Sequence, residues 1–225
     1  LMNLLRHTMT SKSGGYITPR LHVPQEVWSQ GGAKLANLPE KVRAVEVLCS
    51  ALEEIQNSSQ EFFGFGSLTG QGMTAIAKKE GEAWGAKLED FATVCDGIVG
   101  SFGKKLGVGE GLITKKTGGV RKLTRQLDKL TNTKKYVLDS PASYVQGLAR
   151  LFNLCQVLDE HTKALYSQPV APVYSSLPVN VQSILQARLR HTSEFFANVV
   201  LTFVIRDLSL LLDKYAKKCE KWLAE

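Results

Sequence analysis

The chain has 225 residues, 44 % of them apolar and 22 % charged, enough apolar content to bury a core and too much for wholesale disorder. Four cysteines are too few for a disulfide scaffold, and the longest largely apolar run, Phe195–Ile205, stops at Arg206-Asp207, short of the roughly 20 residues that cross a membrane. The formal charge of +7 is placed unevenly: ten Lys/Arg and two acids lie between Lys104 and Lys135, a local +8, which leaves 18 bases against 19 acids elsewhere.

The chain opens on Leu1 rather than Met, from which we expect a fragment whose targeting signals lie elsewhere. Residues 1–23 hold Gly14-Gly15 and Pro19 without a hydrophobic period and are read as an extended arm. Pro24 suits the first turn of a short helix through Trp28, stopped at Gly31-Gly32. Asn37-Leu38-Pro39-Glu40 is a helix start, with Pro where its missing N–H costs nothing and an acid in the first turn. Leu38, Val42, Val45, Cys49 and Leu52 then recur in four-three steps until a glycine cluster at Gly64, Gly66, Gly70 and Gly72.

Trp84, Leu88, Phe91, Cys95, Ile98 and Phe102 form the next stripe, the seam of a helix packed lengthwise on others. Gly97, Gly100 and Gly103 either lower the helicity of its last turns, by about 1 kcal/mol each, or admit close helix approach. Seven glycines in 100–119 read as a flexible connection, followed by a short basic helix marked by Val120, Leu123, Leu127 and Leu130. Asp139-Ser140-Pro141 opens the clearest helix, whose seam runs Tyr144, Leu148, Leu151, Cys155, Leu158, Thr162, Leu165. Pro169, Pro172 and Pro178 stiffen the connector that follows. Leu201, Val204, Leu208, Leu211, Tyr215 and Trp222 continue a seam to the end, with polar Gln186–Glu194 a candidate break.

No window shows sustained period-two alternation, so the expected class is all-α. The architecture expected is an elongated antiparallel helix bundle of four main helices plus shorter ones, because short connections between amphipathic helices favour antiparallel neighbours. Residues 24–225 are read as one domain, with flexible connections near 64–72, 100–119 and 168–177.

Candidate chemistry is sparse. Cys49, Cys95, Cys155 and Cys219 lie on or beside the stripes of four helices without a C-x-x-C pair, which reads as reduced core thiols. His7, His22, His161 and His191 are scattered, and His161 is read as part of a surface helix face. Gly64-x-Gly66-x-x-x-Gly70 follows a helix and lacks a dinucleotide loop's third glycine; Gly103-Lys104 has Ile98 where a phosphate loop needs Gly and Lys105 where it needs Ser or Thr. No catalytic residue, metal or cofactor is expected. The basic segment 104–135 is either a solvated face or an anion-seeking surface, with Lys115, Lys116, Arg121, Lys122, Arg125 and Lys129 as candidate contacts to anionic lipid or an acidic partner. Few aromatics interleave with them, so nucleic acid is not expected. Phe62, Phe63, Phe65, Trp28 and Tyr16, beside glycines or in the arm, either pin those segments to the body or are presented to a partner.

The stretch Tyr16-Ile-Thr-Pro-Arg-Leu-His-Val-Pro-Gln-Glu-Val-Trp28 resembles the opening of a fungal family of mitochondrial distribution and morphology adaptors, which support the anchor that holds mitochondria at the cell cortex. That resemblance implies a non-enzymatic adaptor that binds the coiled coil of a large cortical anchor protein and supports mitochondrial distribution and fission. It implies a cytoplasmic protein, peripheral at the mitochondrial surface and the cell cortex. The alternative is a peripheral membrane-binding bundle that uses 104–135 on anionic lipid.

Overall fold

The computed structural model describes residues 1–30, 33–65, 74–108 and 141–224. Helix accounts for 82 % of the described residues, so the mostly helical class expected from periodicity holds. The expectation of an extended arm over 1–23 is corrected. Met2–Thr10 is a helix, α1, that buries Leu5, Thr8 and Met9. Gly15–Thr18 and Leu21–Val23 pair antiparallel as β1 and β2. The hairpin depends on Gly14, whose φ of +72° disfavours any side chain and whose added Cβ would lie 2.2 Å from the Val23 carbonyl oxygen.

A 3₁₀ turn, Gln25–Ser29, follows Pro24 and buries Val27 and Trp28. The Trp28 indole donates to the Thr8 hydroxyl at 3.0 Å, pinning turn to α1. Helix α2, Leu38–Phe65, starts where the Asn-Leu-Pro-Glu signal places it: Asn37 takes a left-handed φ of +52° and its amide donates to the Lys105 carbonyl. Helix α3 is Thr74–Leu106, so residues 100–106, expected in a flexible connection, are instead its final turns. The rest of that connection, and the basic helix expected after it, lie outside the described residues.

Pro141–Leu154 and Gln156–Tyr166 are α4 and α5, divided at Cys155. The predicted seam passes through the division, with Tyr144, Leu148, Leu151, Cys155, Leu158 and Leu165 all buried. In the connector, Pro172–Ser175 forms a one-turn helix, α6, whose Val173 and Tyr174 are buried. Val179–Phe195 (α7), a wider π turn at Phe196–Val200 and Leu201–Ala224 (α8) make one helical rod of 46 residues, about 70 Å at 1.5 Å per residue. The polar stretch 186–194 is no break. Leu189 and Thr192 are buried, and the charged residues around them face outward or pair: Arg188 with Glu89, Arg190 with Glu194, His191 with Asp96.

Contacts fix the helix directions. Glu40–Lys105 at one end and Phe62–Trp84 at the other make α2 and α3 antiparallel. Tyr144–Asp207 and Tyr166–Gln186 do the same for α4–α5 against α7–α8. Two further pairs depart from the antiparallel expectation. Gly147 against Val45 and His161 against Ser59 make α4–α5 parallel to α2, and Gly81 against Val181 and Arg206 against Gly107 make α7–α8 parallel to α3. The argument from short connections governs only helices consecutive in sequence, and these pairs are not. Close approach occurs at Gly81, where an added Cβ would lie 2.8 Å from Leu177 Cδ2, and not at Gly100, which has nothing within 4 Å.

Candidate functional site

Two buried polar clusters and one exposed helix end hold the chemistry that the described residues offer. The first cluster joins three elements. Lys41 Nζ on α2 donates to Asp207 Oδ1 on α8 at 2.6 Å, and the Tyr144 hydroxyl on α4 donates to Asp207 Oδ2 at 2.7 Å. All three side chains are buried. Burial, and then the Asp207 charge, push the Tyr144 hydroxyl well above its ordinary pKa, so it stays a proton donor. Each carboxylate oxygen has one short charge-assisted bond, the condition under which a buried charge is tolerated. This arrangement sets the register of α8 against α2 and α4.

The second cluster centres on His161, expected from the sequence on a surface face. The residue is completely buried. Its Nδ1 lies 2.6 Å from the Tyr174 hydroxyl and its Nε2 2.8 Å from Ser59 Oγ. A neutral imidazole has one donor and one acceptor nitrogen, and each hydroxyl can complement either, so the neutral ring is fully satisfied. Trp84 and Phe63 stack on it, with centroids at 4.2 and 4.4 Å. Burial drives its pKa down to about 3. A serine within hydrogen-bond reach of a histidine is the signature of a nucleophile and its base. Here Ser59 is only 4 % exposed and the ring lies behind Phe62, Phe63 and Trp84, so no substrate reaches either atom without opening the core. The Trp84 indole N–H is itself buried and makes no hydrogen bond of normal geometry among the described residues.

Three of the four thiols match the core reading in place, and Cys219 departs from it. Cys49, Cys95 and Cys155 are buried and free. Burial pushes Cys49 up to about 11 and Cys155 up to about 12, and Cys95 well up, which keeps all three protonated. Cys219 is half-exposed on α8. Among the described residues no three His, Cys, Asp or Glu side chains group to hold a metal. A groove between α2 and α3, lined by Glu54, Ile55, Lys87, Asp90 and Phe91 among others, holds about 50 Å³, far below the roughly 300 Å³ of a small-molecule site.

The surface is more informative. In α8, Phe203, Val204, Asp207, Leu208 and Leu211 are the buried residues, and beyond Leu211 the helix runs on for thirteen residues without another. The apolar stripe does not stop with them. Leu212, Tyr215 and Cys219 are half-buried, and Trp222 and Leu223 are 75 % and 76 % exposed. The predicted seam Leu201–Trp222 therefore outruns its own cover. The 3₁₀ turn packs against α8, and the Tyr215 hydroxyl is raised above its ordinary pKa chiefly by neighbouring Cys219. The rod Val179–Ala224 is also long and apolar enough to cross a membrane by length and composition, but half of its most apolar stretch is buried within the fold.

The sequence candidates Lys115, Lys116, Arg121, Lys122, Arg125 and Lys129 all lie outside the described residues. Of the basic segment, Lys104 and Lys105 end α3, and Lys105 pairs with Glu40 at 2.6 Å, which holds the Glu40 carboxyl below its ordinary pKa. Of the aromatic candidates, Trp28 and Phe62 are buried, Phe63 is half-buried on His161, and Tyr16 is exposed with its ring edge-on to His22. The Phe65 side chain lies outside the description. Compared with known proteins, the chain matches no family model, no curated protein and no solved structure.

Proposed function

We propose that the chain is a non-enzymatic helical adaptor that presents the face of a long helix to a helical or coiled-coil partner. The observation that carries this reading is the α8 stripe, which continues past the body to the exposed Trp222 and Leu223. A helix whose apolar face is left open is suited to receive the apolar face of another, the geometry of helix-to-helix recognition. The polar groups that would serve a reaction are spent inside the core: Asp207 on Lys41 and Tyr144, His161 on Ser59 and Tyr174. The scaffold in this proposal is an elongated four-helix bundle formed by α2, α3, α4–α5 and α7–α8, with mixed parallel and antiparallel neighbours.

The resemblance of Tyr16–Trp28 to the mitochondrial distribution and morphology adaptors supplies the partner class: the coiled coil of a cortical anchor, at the interface of mitochondria and cell cortex. Pull-down of the chain with such a coiled coil tests the reading. Retention at low micromolar concentration supports it, and no association at tens of micromolar removes it. Sedimentation with anionic vesicles, in place of coiled-coil capture, would favour peripheral lipid binding through 104–135.

A further inference from the structure

The geometry points to residues 212–224 of α8 as the docking arm of this adaptor, and to an amphipathic helix with an acidic flank as the partner it takes; this rests on the adaptor reading and specifies its site. Leu212, Tyr215, Cys219 and Trp222 follow one another at three-four-three spacing, so they form a single stripe along about 15 Å of helix, whose first two members lean on the body and whose last two reach beyond it. Lys214, Lys218 and Lys221 repeat at four-three spacing one residue behind it and form a basic ridge along one edge of that stripe. The acids Asp213 and Glu220 stand one residue after Leu212 and Cys219 and border the opposite edge, where Asp213 is occupied by Lys217 at 2.7 Å. The arm thus offers an apolar seam with positive charge along one border, and its complement is an apolar seam bordered by Glu or Asp.

Shape separates this occupant from the others. The stripe is continuous with Val204, Leu208 and Leu211, which the body covers, and the 3₁₀ turn Gln25–Ser29 packs on α8. The open stripe therefore ends in a step. A helix about 10 Å across fits along the step, whereas a flat bilayer lying on the stripe would meet the body. A second copy laid antiparallel on the stripe sets lysine ridge against lysine ridge, and a parallel copy offers the three lysines only Glu220, because Asp213 is held by Lys217. The chain's own 109–135 carries eight bases and two acids, the wrong charge for this border.

The test uses the full chain and two fluorescein-labelled three-heptad peptides that share a leucine seam, one flanked by Glu and one by Lys, read by anisotropy. The chain is expected to bind the Glu-flanked peptide at least about tenfold tighter than the Lys-flanked one, with the difference falling as salt rises. Lys218→Glu with Lys221→Glu reverses the preference, and Trp222→Ala with Leu223→Ala abolishes binding of both peptides, while circular dichroism stays unchanged because these residues are exposed. Equal binding of the two peptides, no binding, or an unreversed preference overturns the proposal. So does binding to phosphatidylserine vesicles that needs Trp222, or self-association that the alanine variant loses. If the anchor's coiled coil retains the chain and the alanine variant equally, the docking arm is wrong and the adaptor reading stands; if it retains neither, the adaptor reading itself fails.

Discussion

Replacing Asp207 with Ala leaves the Lys41 ammonium buried without a counter-charge and the Tyr144 hydroxyl without an acceptor. Stranding a buried charge costs about 3–5 kcal/mol, and an orphaned buried hydroxyl adds about 1–3 kcal/mol, so a net loss of about 4–8 kcal/mol is expected. For a chain of this size that lowers Tm by roughly 10 °C or more. Lys41→Met alone should cost about as much, because it strands the carboxylate. The combination Lys41→Met, Asp207→Leu and Tyr144→Phe removes every stranded group and should return to within about 1–2 kcal/mol of the parent. Urea unfolding followed at 222 nm gives each value, and a double-mutant cycle on Lys41 and Asp207 should show coupling of at least about 3 kcal/mol, opposite in sign to simple addition. A loss below about 1 kcal/mol for Asp207→Ala, or additive single costs, would refute the cluster as described.

His161 makes acid a selective stress: its folded pKa of about 3 lies below the ordinary 6.5, so the unfolded chain takes up the proton first and stability is lost as pH falls from 6.5 toward 3. Between pH 7.5 and 5 this one residue should cost about 2 kcal/mol, a loss that His161→Gln removes; an unchanged pH slope in that variant argues against a buried neutral ring. Gly14→Ala meets a backbone oxygen at 2.2 Å at positive φ and should destabilise by about 2 kcal/mol or more, whereas Gly100→Ala, in open space on α3, should stabilise by about 0.5–1 kcal/mol. With an aromatic disulfide reagent at pH 7.5, Cys219 should react quickly and Cys49, Cys95 and Cys155 only on unfolding; a second fast thiol would contradict the buried placements.

The sequence carried what depends on local spacing. The four-three stripes of α2, α3 and α4–α5 are buried at nearly every position named for them, and Asn37-Leu38-Pro39-Glu40 marks the start of α2 because capping and proline rules act within one turn. Helix α1 escaped because its buried set, Leu5, Thr8 and Met9, spans barely more than one turn and no cap precedes it. The hairpin escaped because strands of four and three residues cannot show sustained alternation. Both polar clusters were illegible for a different reason. Lys41 and Asp207 are 166 positions apart, and His161 and Ser59 are 102 apart, so only the packed helices bring them together. His161 itself stands three residues after Leu158 and four before Leu165, on the buried face, so its burial was legible from spacing while its partners Ser59 and Trp84 were not. The exposed end of α8 was half visible: the spacing to Trp222 was read, but how far the body covers it is a tertiary fact.

The most direct check on that central feature uses the chain's three tryptophans. Trp28 and Trp84 are sealed in the core and Trp222 stands in solvent. Iodide quenching of the native chain should reveal one accessible emitting class, and Trp222→Phe should eliminate it while leaving the buried, blue-shifted emission intact. An accessible class that persists in the Trp222→Phe protein, or no accessible class in the parent, would mean that the last turns of α8 are covered and the open seam does not exist.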